Sequence, residues 1–187
     1  MKIKSTLIIT LWVLLFFTSS CCNKAEESAR YSLSDDDKSF IPYLQGQELN
    51  FVHSGGAEFV MKVINLTRAY AQTMTEHCND DYIVYEYEIA EIFSPDPELY
   101  VSLLITPRQF NPDMLITVNN THFILPTNDP PQYDTLNIGG TIFTNVYMVK
   151  NNASDTTVIE PNRVYFNKQY GVLEIKLTNN DSYYFTE

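Results

Sequence analysis

The sequence predicts an all-β fold: a single antiparallel meander of about nine or ten strands, with one short N-terminal helix, ending as a barrel, a half-barrel or a sandwich. Three observations predict it. Apolar and polar residues alternate with period two from Tyr82 to Phe93. Short glycine and asparagine clusters separate apolar runs of strand length. Nine or ten such strand-length runs follow one another on mostly short links. Links this short favour pairing between chain neighbours, which is antiparallel.

The elements follow in order. Ser34 is placed to cap a short helical turn through Asp35 to Phe40, with three acids at its positive end, and Pro42 stops it. Leu49 to His53 and Phe59 to Ile64 flank Gly55-Gly56, a pair suited to positive φ at both positions of a hairpin turn. In the alternating stretch Ile83, Tyr85, Tyr87 and Ile89 share one face, read as the buried one, and Glu86 and Glu88 share the other. Leu99 to Thr106 is a further strand. Asn119-Asn120 joins Met114–Val118 to Thr121–Leu125. Pro126 to Pro131 is a proline- and asparagine-rich loop. Thr141 to Val149 is a strand, and Asn179-Asn180-Asp181 joins Val172–Leu177 to Ser182–Phe185. Tyr165, Phe166 and Tyr170 read as core or strand-edge aromatics around a turn that Gly171 frees.

The N-terminus gives an address. Lys2 and Lys4 precede the apolar run Leu7–Phe17, and small Thr18, Ser19 and Ser20 precede Cys21 and Cys22. The run of about 11 residues is too short for a bilayer span of about 20 and fits a cleaved secretory signal. Small residues directly before a cysteine resemble the bacterial lipobox, which implies a thioether-linked diacylglycerol on Cys21, with Cys22 the alternative. A leucine is usual three residues before that cysteine, and Thr18 or Ser19 stands there instead. Two or three acyl chains hold a protein stably on a membrane; one does so only marginally. The chain thus divides into a signal peptide over 1–20, a lipidated cysteine and flexible tether over 21–37, and a β domain over 38–187. Asn23 to Asp37 is charged and poor in apolar residues, which favours a tether.

Residues 1–20 carry two lysines and no acid, so the rest of the chain has ten basic and 23 acidic residues, a net charge of −13. That charge argues against nucleic-acid partners. The only tryptophan, Trp12, lies in the signal, while thirteen tyrosines stand in the chain. Its loss counts against sugar binding by aromatic stacking.

Three stretches taken in order, Ile41-Pro42-Tyr43-Leu44-Gln45-Gly46-Gln47 into Leu49-Asn50-Phe51, then Asn145 to Val149, then Val164 to Leu173, resemble a group of small Bacteroidetes lipoproteins. The resemblance spans most of 40–187 and brings no catalytic residues. It implies an outer-membrane address, and Lys24-Ala25-Glu26-Glu27 resembles an interrupted form of the charged signal for the cell surface. Asp134-Thr135-Leu136 and Asp155-Thr156-Thr157 resemble Bacteroidetes O-glycosylation sites and fall in expected loops, which makes Thr135 and Thr156 possible acceptors.

No catalytic, cofactor or metal residue is assigned. His53, His77 and His122 are far apart and lack ligand spacing. His77 and Cys78, being adjacent, point to opposite faces of a strand. Asp35-Asp36-Asp37 lacks the spaced oxygens of a calcium loop. No nucleophile elbow or phosphate loop is present. Tyr85, Tyr87, Phe59 and Tyr147 are the candidates for an inward face. A non-enzymatic binding or interaction module is the first expectation. A carrier of an apolar ligand is the second, and a hydrolase built from dispersed acids and His77 the third.

Overall fold

The computed structural model describes residues 26–74, 81–151 and 158–187. These form an all-β sheet with one short helix. The strands are β1 (Glu27–Tyr31), β2 (Glu48–His53), β3 (Glu58–Met74), β4 (Tyr82–Pro95), β5 (Glu98–Ile105), β6 (Asp113–Val118), β7 (Thr121–Pro126), β8 (Tyr133–Ile138), β9 (Thr141–Lys150), β10 (Pro161–Asn167), β11 (Gly171–Leu177) and β12 (Ser182–Thr186). The helix α1 is Asp35–Lys38. The strand order is β7-β6-β5-β4-β3-β2-β12-β11-β10-β9-β8, with β1 paired to β4 outside that path.

Twelve strands replace the expected nine or ten, and the sheet does not close into a barrel. Its end strands β7 and β8 do not pair with each other, although β7 comes alongside β9. Three strands were not named from the sequence: β1, β8 and β10, the last having been read only as aromatics around a turn. β1, Glu27–Tyr31, lies within the stretch expected to be a tether. β8 precedes Gly139-Gly140, whose φ values of 59° and 93° make the turn into β9.

The chain falls into two units. In the smaller, Glu26 O accepts from Tyr82 N at 3.0 Å and Ser28 Oγ donates to Tyr82 O at 3.1 Å, while Arg30 and Glu27 form an exposed ion pair. The larger unit, 31–71 and 85–187, holds both hydrophobic cores.

The main core lies on one face of the sheet, here called the core face. Met61, Val63, Ala90, Ile92, Val101, Leu103, Ile105, Met114, Ile116 and Phe123 build it from β3 to β7. Strict alternation in β5 and β6 puts each second residue into it. From β3, Met61 and Val63 are buried in the core, and Phe59 and Leu66 pack partly buried against it. The connecting segment before β2 then lies across this face. Leu33, Phe40, Ile41 and Tyr43 are all buried in the core.

A smaller core lies on the opposite face of β10–β12. Ile138, Phe143, Val146, Tyr165 and Leu173 form it, with Tyr170, Tyr184 and Phe185 packed alongside. It exists because β9 changes partners. Thr141 to Val146 pairs with β8 and Tyr147 to Lys150 pairs with β10. The change of direction falls at Asn145, in the left-handed region at φ 52°. A register shift between β10 and β11 leaves Leu173 without an opposite residue, so Val172 faces the main core and Leu173 faces the second one.

The Gly55-Gly56 turn is present but wider than expected. His53 N donates to Ala57 O at 2.8 Å, and of the pair only Gly56 has positive φ.

Candidate functional site

The site is assembled where the segment between β1 and β2 meets the bend of β9. Ser34 caps α1 through a capping box. Its hydroxyl accepts from Asp37 N at 3.1 Å, and Asp37 Oδ2 accepts from Ser34 N at 2.9 Å. The expected cap is thus observed, with the helix ending at Lys38 rather than Phe40. Phe40 continues into the core and stacks on Phe166 at 6.2 Å, with Tyr147 at 5.9 Å. Tyr43 reaches across to β11, where its hydroxyl accepts from Val172 N at 2.8 Å. Gly171 is required there: at φ 83° its missing Cβ leaves the place that the Tyr43 hydroxyl occupies. Burial of that phenol raises its pKa strongly.

The three aspartates have separate duties. Asp35 is exposed and near Lys38. Asp36 binds Lys168 Nζ at 2.6 Å and also pairs with Arg108. Asp37 is 1% exposed, and Arg108 Nε lies 2.9 Å from its Oδ1, an ion pair without hydrogen-bond geometry. Lys168 further sits 4.0 Å above the Phe40 ring. The hydrogen bond from Lys168, then that from Arg108 and the attraction of both cations, outweigh desolvation and hold the Asp36 carboxyl below its ordinary pKa. The Asp36 and Asp37 carboxylates thus clamp the segment to Arg108 and Lys168.

Beside the clamp is a half-open pocket of about 270 Å³ lined by Pro131, Thr144, Asn145, Tyr147, Lys168 and Gln169. Its back wall is fixed by Asn167. The Asn167 amide nitrogen donates to Thr144 O at 3.2 Å, and its Oδ1 accepts from Gln169 N at 3.2 Å and Tyr170 N at 2.8 Å.

The faces of β4 are the reverse of the expected ones. Val84, Glu86, Glu88, Ala90, Ile92 and Ser94 are buried, whereas Tyr85 and Tyr87 lie half-exposed on the other face. Two contacts reverse the simple hydrophobic reading. Glu86 Oε2 accepts from Leu33 N at 2.8 Å, and the two Glu88 oxygens accept from Arg68 at 2.8 and 2.9 Å. A buried carboxylate is tolerable when it is bonded in this way. Tyr85 instead stacks on Phe110 at 4.2 Å. Of the four inward candidates, Tyr147 is buried, Phe59 packs partly buried against the core, and Tyr85 and Tyr87 are not on the core face.

Thr135 is exposed, but it lies on strand β8 rather than in a loop. Cys21, Cys22, His77, Cys78 and Thr156 lie outside the described residues. His53 is 4.0 Å from Asp181, and His122 Nδ1 is 3.0 Å from Thr117 Oγ1, on separate parts of the sheet. Among the described residues no three His, Cys, Asp or Glu side chains come together as a metal site. No helix among them is long and apolar enough to cross a membrane. Compared with known proteins, the chain matches no family model, no curated protein and no solved structure.

The clamp and the pocket escaped sequence reasoning because their parts are far apart. Asp36, Arg108, Tyr147 and Lys168 come from four separate stretches of chain. Asn145 within an otherwise β-rich run was the one local hint of a bend.

Proposed function

We propose that the chain is an exported lipoprotein of the cell envelope, akin to the small Bacteroidetes lipoproteins it resembles. Acyl chains on Cys21, or on Cys22, hold it at the outer membrane, and the β domain acts as a non-enzymatic binding or interaction module. The lipobox-like run ahead of Cys21 supports the anchor. One structural observation supports a module working through its surface rather than a carrier. The core face is filled by the protein's own Leu33, Phe40, Ile41 and Tyr43, each no more than 6% exposed. The two buried acids of β4 are likewise engaged within the fold, Glu86 by the Leu33 amide and Glu88 by Arg68.

Two measurements test this. Metabolic labelling with palmitate should mark the wild-type chain and fail in Cys21→Ser; label surviving there but lost in Cys22→Ser would move the anchor by one residue. Native mass spectrometry of the protein isolated from its exporting bacterium should show no solvent-extractable adduct. A stoichiometric lipid mass would overturn the module in favour of a carrier. Cross-linking in intact cells should then capture an envelope partner.

A further inference from the structure

We propose that the pocket at the bend of β9 is a subsite for one neutral sugar unit. This deepens the binding-module reading and rests on it. The leading observation is Tyr147. The residue is 6% exposed, and its ring is packed near Phe40 and Phe166, at 5.9 and 6.3 Å. Yet among the described residues its hydroxyl has no hydrogen-bond partner, and it is not sealed off from the pocket that the side chain lines. The hydroxyl therefore faces the open space of the pocket, where a ligand hydroxyl can take the place of water.

The neighbours define the partner's chemistry. Thr144 and Asn145 are exposed, their side chains make no hydrogen bond among the described residues, and both line the pocket. Together the three groups offer donors and acceptors in mixture, which matches ligand hydroxyls because each of those both donates and accepts. An apolar ligand would strand them. An anion gains little: Lys168 is already neutralised by Asp36 at 2.6 Å, and the chain carries a large net negative charge. A space of about 270 Å³ lies below the usual range for drug-sized ligands and suits a single ring. The wall is built in advance, since Asn167 holds Thr144, Gln169 and Tyr170 together through three hydrogen bonds. Recognition here goes to the edge of a sugar, through hydroxyls, and does not need a stacking tryptophan.

The test is saturation-transfer NMR on the full chain in a detergent without a sugar head group. The probes are methyl β-D-glucopyranoside, methyl β-D-galactopyranoside and methyl α-D-mannopyranoside, with glycerol 2-phosphate as the anionic probe. At least one glycoside should bind. Tyr147→Phe keeps the packed ring and should weaken that binding about three- to tenfold, the worth of one hydrogen bond. Asn145→Gly keeps the left-handed backbone and should weaken it similarly. Tyr100→Phe, on β5 and outside the pocket lining, should leave it unchanged. Binding of no glycoside, equal binding to both pocket variants, or preference for the phosphate would overturn the subsite. A chain that binds no glycoside but still cross-links to an envelope partner loses only the subsite; one that does neither loses the module as well.

Discussion

β6 and β11 are of similar length and both lie in the interior of the sheet, yet their sequences follow different rules. In β6 buried and half-buried residues alternate throughout, Met114, Ile116 and Val118 facing the core. In β11 five consecutive residues from Gly171 to Ile175 are buried. The cause is a second layer. The β8–β9 hairpin turns back at Asn145 and covers the other face of β10–β12, where Phe143 meets Tyr170 at 5.7 Å and Phe185 at 6.4 Å. Alternating burial therefore marks a strand with one covered face, and unbroken burial, which here includes Glu174, marks one with two.

If the two cores differ in this way, damage to them should differ in reach. Phe166 is fully buried between Phe40 and Tyr147, so Phe166→Ala should cost about 3–5 kcal/mol and lower the denaturant midpoint of the whole larger unit. The second core should fail locally. Ile138→Ala should cost roughly 2–4 kcal/mol, and hydrogen exchange should quicken in β8 and β9 while β5 and β6 keep their protection. Equal loss of protection in β5 and β6 would show that the two layers melt as one. Gly171→Ala sits at the junction. A side chain at φ 83° that also displaces the Tyr43 hydroxyl should cost roughly 2–3 kcal/mol, read from the thermal midpoint.

The same contrast explains what was legible in the sequence. β5, β6, β7 and β12 alternate or abut asparagine turns, and Asn119 and Asn180 indeed adopt positive φ. The cap at Ser34 was readable because capping is local. β8 was missed although Gly139-Gly140 marked its end, because Asp134, Thr135 and Asn137 dilute its apolar signal at an exposed edge. β1 was missed because a polar strand gains its order by pairing with β4, which composition does not report. The faces of β4 were inverted because period two fixes which residues share a face and leaves open which face is inside. That choice rests on Arg68 and on the Leu33 amide, 20 and 53 residues away in the chain.

The buried acids of β4 give the next prediction. Arg68→Ala leaves the Glu88 carboxylate, with its side chain only 7% exposed, without its cation. Because Arg68 itself is nearly half exposed, the cost should be about 1–3 kcal/mol rather than that of a sealed pair. Arg68→Ala with Glu88→Gln should recover part of it. No recovery would mean that Arg68 contributes by packing.

The smallest effect concerns the clamp and acid. Asp36 is held below its ordinary pKa of 3.8, chiefly by the hydrogen bond from Lys168 and next by Arg108. A depressed carboxyl adds stability above its unfolded value and loses it as pH falls through the folded one. The clamp should therefore hold fully above about pH 4 and weaken below it. Asp36 is largely exposed, so the change should be modest and should shrink as salt is added. Lys168→Met removes the leading cause and should flatten this acid limb while leaving the midpoint at neutral pH within a few degrees. An unchanged limb would place the acid sensitivity of the fold elsewhere, first at Glu91, which Tyr100 and Asn65 hold below its ordinary value in the same manner.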